Sequence, residues 1–342
     1  MAHEIDESTG KAAMAYVGEK PWHGLGQALT PDADLDTWRV EAGMDWNILA
    51  APVLFDDRIV SVDAEVVETV DSTIREMRDR QVFFRSDTRA ALSVVSNDFK
   101  IVQPYQILEF YRDLVGNAGF QLETAGCLFG GKKFWALAKC GENAKIMGQD
   151  EVAPYLLLAS ACDGSMSTVA HYTSVRVVCN NTLRMAVGAN AQKAQIKIPH
   201  SATFNETEVK LDLGIAADTW EKFIVNMNVL AAKRISRDDA IDFTARQLKK
   251  EWPNKEGGAM DREEMLSSSM ALRRIIKLFD GEALGSQMDS ANGTAWGLVN
   301  AMTQYFDHES GSKGEKSRAF ERAHLTDRAS FKVRFVDELL AA

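Results

Sequence analysis

The hydrophobic period of this 342-residue chain changes once, near residue 205, and that change limits the fold more than any other feature. Upstream, from about residue 52 to 180, apolar residues mostly recur at every second position. The segments "IVSVDAEVVETV", "RQVFFRSD", "ALSVVSNDFKIVQ", "FQLETAGCLF", "KKFWALAKC", "APYLLLASACD" and "STVAHYTSVRVVC" all read this way. Side chains of a strand alternate between faces, so the pattern predicts strands of one sheet. "SND", "GG" and "DGS" between them carry turn chemistry. One helix interrupts, "PYQILEFYRDLVGNAGF". Pro104 starts it, Ile107, Phe110, Tyr111 and Leu114 form its inner face, and Gly116 and Gly119 end it.

Downstream the spacing is helical. Trp220, Phe223, Met227 and Leu230 make one stripe, and Ser236 with Asp239 caps a following helix. "DREEMLSSSMALRRIIKLF" predicts a single helix ending at Gly281, "NGTAWGLVNAMTQYF" a short one, and "DRASFKVRFVDELLAA" an amphipathic close. The first fifty residues are turn-rich, with a helix at "TPDADLDTW" capped by Thr30 or Asp32, and "GMDWNILAAPVLF" leads into the sheet. The expected fold is therefore α+β. A mainly antiparallel, curved sheet with a packed helix occupies residues 1–204, and a helical C-terminal region occupies 205–342.

Charge narrows the function classes. With 49 acidic against 39 basic side chains the net charge is −10, which excludes a generally basic nucleic-acid binder but leaves room for a local basic groove. No apolar run approaches the roughly 20 residues of a membrane helix. The polar start "MAHEIDESTG" resembles no secretory or transit signal, so a cytoplasmic, membrane-free protein is expected. Cys127, Cys140, Cys162 and Cys179 form no CxxC pair, and the expectation is buried, reduced thiols with no metal and no cofactor.

"GCLFGGKK" matches seven positions of a phosphate-binding loop, but the eighth is Lys133 where Ser or Thr would hold magnesium. A strand follows it, where such a loop opens a helix, so a tight hairpin turn explains the glycines. The histidines do not cluster. His23 sits in the turn "PWHGLG" beside Trp22, where a Trp-His pair would stack on a base, and His171 and Tyr172 point to opposite faces of a strand. No nucleophile–base set or paired-carboxylate motif stands out. In "TSVRVVCNNTLRMAV" the Asn-Asn corner reads as a strand-to-helix turn, with Asn181 or Thr182 capping a helix from Leu183. Arg176 in that strand either pairs with an acid such as Asp163 or offers its fork to an anion. The next seventeen residues, "RMAVGANAQKAQIKIPH", hold Arg184, Lys193 and Lys197 and no acid, which suits a surface that meets an anion.

Several stretches together resemble the phage/plasmid-like proteins that carry a domain of unknown function. They are "PWHGLG", "SNDFKIVQPYQILEF", "LETAGCLFGGKKFWALAK", "YLLLASACDGSMSTVAHYTSVRVVCNNTL" and "TAWGLVNAMTQYFDH", and they cover nearly the whole chain. One departure is "SACDGS", where Cys162 stands in place of a histidine before Asp-Gly. The resemblance implies a cytoplasmic mobile-element protein and supplies no catalytic residue list. The order of elements is also similar to single-strand annealing recombinases of the Rad-fifty-two type, an analogy of fold only.

Two functions follow as expectations. The first is a non-enzymatic DNA-metabolism protein binding single-stranded DNA as a homo-oligomeric ring or filament. Phosphates would meet Arg176, Arg184, Lys193, Lys197, Lys132 and Lys133, and bases would meet Trp22 and His23. The alternatives are an enzyme acting on a nucleotide through His23, His171 or Asp163, and an interaction protein that targets a host factor.

Overall fold

The computed structural model describes residues 5–18, 24–57, 73–118, 120–176, 181–184, 195–213, 217–251, 261–310 and 327–342. In chain order the described strands begin with β1 (Met14–Val17), β2 (Gln27–Leu29), β3 (Ile48–Asp56), β4 (Ile74–Arg85) and β5 (Ala91–Ser96). They continue with β6 (Gln121–Leu128), β7 (Lys133–Lys139), β8 (Ala144–Ile146), β9 (Asp150–Ala161), β10 (Thr168–Arg176), β11 (Asn181–Arg184) and β12 (Gln195–Ile198). The helices near the sheet are α1 (Leu35–Glu41), α2 (Pro104–Glu109), α3 (Arg112–Ala118) and α4 (Glu206–Leu213). The rest are α5 (Ala217–Ala232), α6 (Arg237–Glu251), α7 (Arg262–Ser268), α8 (Met270–Lys277), α9 (Ala295–Gln304) and α10 (Asp327–Ala341).

The fold is α+β, an open antiparallel sheet followed by helices. The large sheet runs β11-β10-β9-β7-β6-β1-β2, with β12 also on β10 and β8 also on β9. Among the described strands only β1 and β2 pair in parallel. One expectation needs correction. The segment "IVSVDAEVVETV" lies outside the described residues, and the other alternating segments do not all join one sheet, because β3, β4 and β5 form a separate three-stranded sheet.

Strand alternation explains where the cores lie. In β9, Leu156 and Leu158 face a core with Trp38, Phe83, Ile107, Phe110 and Tyr111, while Tyr155, Leu157 and Ala159 face another with Met14, Trp135 and Val169. Burial on both sides accounts for the unbroken apolar run "YLLLASA". Of the predicted inner helix face Ile107, Phe110 and Tyr111 are buried and Leu114 is half-buried, but the helix is split into α2 and α3 at Phe110 and Tyr111, whose rings both turn inward. The Tyr111 phenol oxygen lies 3.0 Å from the Ala136 carbonyl and 2.9 Å from that of Leu156, which ties the helices to β7 and β9. Tyr111→Phe keeps the packing and removes this donor. Urea unfolding is expected to show a loss of about 1 kcal/mol at an unchanged m-value.

The helical core gathers the predicted stripe Phe223, Met227 and Leu230 with Leu272, Ile276, Trp296 and Phe335. Ile146 and Val152 reach into it from the β8–β9 hairpin. At that hairpin the buried Asp150 carboxylate accepts from Trp296 Nε1 and Ser290 Oγ, both at 2.9 Å. Tyr172 packs against both this core and the α2 side of the sheet, so the two bodies share a side chain.

Local corrections have local causes. Asp34, not Thr30 or Asp32, caps α1, its carboxylate accepting from Thr37 N at 2.7 Å. The long helix predicted over 261–279 breaks at Ser269, whose hydroxyl accepts from Leu272 N and caps α8. Gly281 ends that helix as expected, at φ 131°. Ser236 Oγ accepts from Asp239 N at 3.1 Å and caps α6 as read from the sequence.

One buried cation holds the small sheet against the large one. Arg85, at the end of β4 and 2 % exposed, donates to the buried carboxylate of Asp6, to Asp87 at 2.9 and 2.7 Å and to the Gly130 carbonyl at 3.2 Å. Its guanidinium lies 4.2 Å over the Trp46 ring. Gly131 makes room for this stack, since a Cβ there would stand 2.7 Å from Trp46 and 3.0 Å from Arg85 Nη1, and its φ of 93° already disfavours a side chain.

Candidate nucleic-acid interface

The basic residues singled out in the sequence come from four strands and two turns, and backbone register decides which of them share a face. Lys197 pairs with Val169, Val169 with Ala159, and Ala159 with Trp135. Arg184 pairs with Thr173, Thr173 with Tyr155, and Tyr155 with Lys139. Lys133 stands two residues before Trp135 on β7. Paired residues lie on one side of a sheet and alternate residues on a strand return to it, so Lys133, Lys139 and Lys197 and the Arg184 position belong to one face.

Between the Lys133 and Lys139 rungs the acid on that face is Glu123, at the β6 bulge. Desolvation raises its carboxyl above the ordinary range, while a hydrogen bond from Tyr155 and the nearby Lys139 ammonium oppose the rise. Burial, with Glu123 beside it, holds the Tyr155 phenol well above its usual pKa. The face therefore presents cations around a covered centre, because Trp135 and Tyr155 are buried and offer no open ring for stacking.

The edge of this sheet has an unusual course. β11 and β12 lie end to end along β10, with Arg184 opposite Thr173 and Gln195 opposite His171. The end of β11 and the start of β12 therefore lie within roughly 7 Å of each other along β10. The acid-free stretch is bracketed by the Arg184 position and the exposed Lys197.

The hairpin reading of "GCLFGGKK" holds: β6 turns through Phe129, Gly130 and Gly131, all at positive φ, into β7. Lys133 Nζ lies 5.3 Å from the centre of the Phe129 ring. Lys132, one residue earlier, is half-buried, and its carbonyl accepts from Cys162 N at 2.9 Å. The Asn-Asn corner is corrected. Asn181–Arg184 form strand β11, not the start of a helix, and Asn181 pairs with Arg176 across a hairpin. Neither Asn181 nor Thr182 caps a helix there.

The pairing of Arg176 with Asp163 is also ruled out. Arg176 lies opposite Val152 at one end of β9, and Asp163 comes just after Ala161 at the other, so roughly 30 Å of strand separates them. Asp163 instead supports its own turn, accepting from Ser165 N at 3.0 Å. Arg176 and Arg184 are described by backbone position, and Trp22, His23, Lys193 and Cys179 lie outside the described residues.

Lys139 was missed in the sequence, although its even offset from Lys133 along one strand puts the two on the same face. His171 is fully buried in β10, facing away from Tyr172 as the alternation predicts. Cys127 and Cys162 are buried and Cys140 half-buried, and burial pushes the Cys140 and Cys162 thiols up to about 12, so both stay protonated at neutral pH. Among the described residues no three His, Cys, Asp or Glu side chains form a metal-sized group, and no helix is long and apolar enough to cross a membrane.

Comparison with known proteins adds one match. Neither the curated proteins nor the solved structures contain a sequence or fold that matches this chain. A family model described as a domain of unknown function, DUF932, matches residues 91–329, from β5 through strands β6–β12 of the large sheet and the helices into α10. The match spans well over half of the chain, which therefore belongs to the DUF932 family.

Proposed function

We propose that this is a non-enzymatic DNA-metabolism protein of a phage or plasmid, acting in the cytoplasm, that holds the backbone of single-stranded DNA on the cationic margin of the Lys133, Lys139 and Lys197 face and on the β11–β12 edge of its large sheet. The observation that carries the reading is the register. It gathers Lys133, Lys139, Lys197 and the Arg184 position on one face of a molecule whose net charge is −10. A cationic strip set in an acidic protein confines a polyanion to one place, because the rest of the surface repels it. The phage or plasmid origin rests on the sequence motifs quoted above, from "PWHGLG" to "TAWGLVNAMTQYFDH". The sheet region 1–204 carries the interface in this reading, and 205–342 supports it.

Phosphate contacts position a strand without reading its bases. Lys139→Gln with Lys197→Gln is therefore expected to weaken binding of an oligonucleotide by about tenfold at low salt, equally for poly-dT and mixed sequences. Fluorescence anisotropy would measure it. A double variant that binds as wild type does, or that loses affinity for one sequence alone, would remove these lysines from the interface.

A further inference from the structure

Three residues of the β6–β7 turn are left-handed, and glycine accounts for two of them. The third is Phe129 at φ 55°, followed by Gly130 at 70° and Gly131 at 93°. A bulky side chain disfavours that region, whereas glycine adopts it freely. Among the described residues only Arg89 and Met147 share the conformation without being glycine. The surroundings hold Phe129 in it from both sides. Just before it, Leu128 bridges to Ile5. Just after it, the Gly130 carbonyl accepts from Arg85 Nη1 at 3.2 Å, and the Lys132 carbonyl accepts from Cys162 N at 2.9 Å. Strain enforced in this way concentrates where a side chain has a task that fixes its position.

Position indicates the task. Phe129 packs at the margin of the core on the Lys133 face, with Trp135, Leu157 and Val169. Trp135 and Tyr155 in that core are buried, whereas Phe129 is half-buried. Among the described residues it is the aromatic side chain of this core that reaches solvent. The Lys133 ammonium, one of the cations gathered by register, lies 5.3 Å from the centre of its ring. A ring and an ammonium this close suit one nucleotide, whose base stacks on the ring while its phosphate takes the ammonium. A phosphate is also a stronger partner for a lysine than an aromatic ring is.

We propose that Phe129 is the base-stacking residue of the cationic face, and that Lys133 leaves its ring for a phosphate when a single strand binds. The proposal rests on the reading of that face as a single-strand site and adds that bases are held as well as phosphates. Every base has a π face, so stacking on Phe129 tightens binding without selecting a sequence. A duplex keeps its bases stacked inside and offers this turn phosphates only, so the ring favours single strands.

Phe129→Leu keeps an apolar side chain at the same backbone position and removes the π face. Circular dichroism is expected to show the wild-type fold. Calorimetric titration would compare a dT oligonucleotide with inorganic polyphosphate, which carries the charge of a strand and no bases. The variant is expected to bind the oligonucleotide about tenfold more weakly, within the range for losing one stacked base, and to bind polyphosphate as wild type does. Ultraviolet cross-linking of the wild-type protein to the same oligonucleotide, mapped by mass spectrometry, needs no variant and is expected to attach thymine to Phe129. Equal oligonucleotide binding by variant and wild type overturns the proposal. So does an equal loss for both ligands, which would make Phe129 a support of the turn, and so do cross-links that map only elsewhere on the chain. Each of these results leaves the phosphate contacts standing. A wild-type protein that binds neither ligand removes the single-strand site itself, and the stacking with it.

Discussion

Arg85→Met is expected to lower the stability of the fold by about 3–5 kcal/mol, measured by urea unfolding. The substitution keeps an apolar stem over Trp46 but removes the guanidinium that Asp6 and Asp87 share. Asp6 is 5 % exposed and would be left as a buried carboxylate without that partner. The hydrogen bond from Arg85 is the largest influence on Asp87 and holds its carboxyl below the ordinary range, with burial opposing. A depressed carboxylate pKa contributes stability above the unfolded value near 3.9 and loses it as pH falls through the folded value. The gap between wild type and variant should therefore be full at neutral pH and shrink in acid below about pH 4. A variant within about 1 kcal/mol of wild type at pH 7 would show that the knot does not hold the two sheets together.

The second large effect is expected at Lys332. This lysine is fully buried on α10 and lies 2.7 Å from the buried Asp307 carboxylate in the turn that follows α9. Lys332→Met removes the ammonium and should cost about 3–5 kcal/mol, because Asp307 stays buried without it. Adding Asp307→Leu removes the stranded charge, and the double variant should recover most of that loss. A double variant no better than the single one would place the cost in packing instead of charge.

These two ion pairs were not legible in the sequence. An arginine after "QVFF" and a lysine after "ASF" look the same as any charge on the outer side of an amphipathic element, and only tertiary packing puts them inside. The main strands were legible, because alternation reports a half-buried face directly. So was the stripe Phe223, Met227 and Leu230, which lies in the helical core. The Asn-Asn corner was misread because "NTLR" is too short to distinguish a strand from a helix start, and the partner that makes it a strand, Val175 to Arg176, is a contact made across a hairpin. "LSSSMA" hid a break for a related reason: a serine inside a helix and a serine capping one have the same letter.

Of the predicted interface, Lys133, Lys197 and Arg184 reach one face through strand register, which depends on pairings far apart in the chain. Lys132 falls out of that set by one residue, since a one-residue shift changes the side of the sheet. Which strand would sit beside β10 could not be read from alternation alone. Two short strands, β11 and β12, share that edge.

The salt dependence of single-strand binding tests the central claim most directly. If Lys133, Lys139, Lys197 and Arg184 meet phosphates, about three to four contacts form, and log Kd against log salt should change with a slope of magnitude about 2 to 3. Lys139→Gln with Lys197→Gln should reduce that magnitude by roughly one or more. A slope near zero, or a slope that the double substitution leaves unchanged, would contradict a nucleic-acid interface on this face of the sheet.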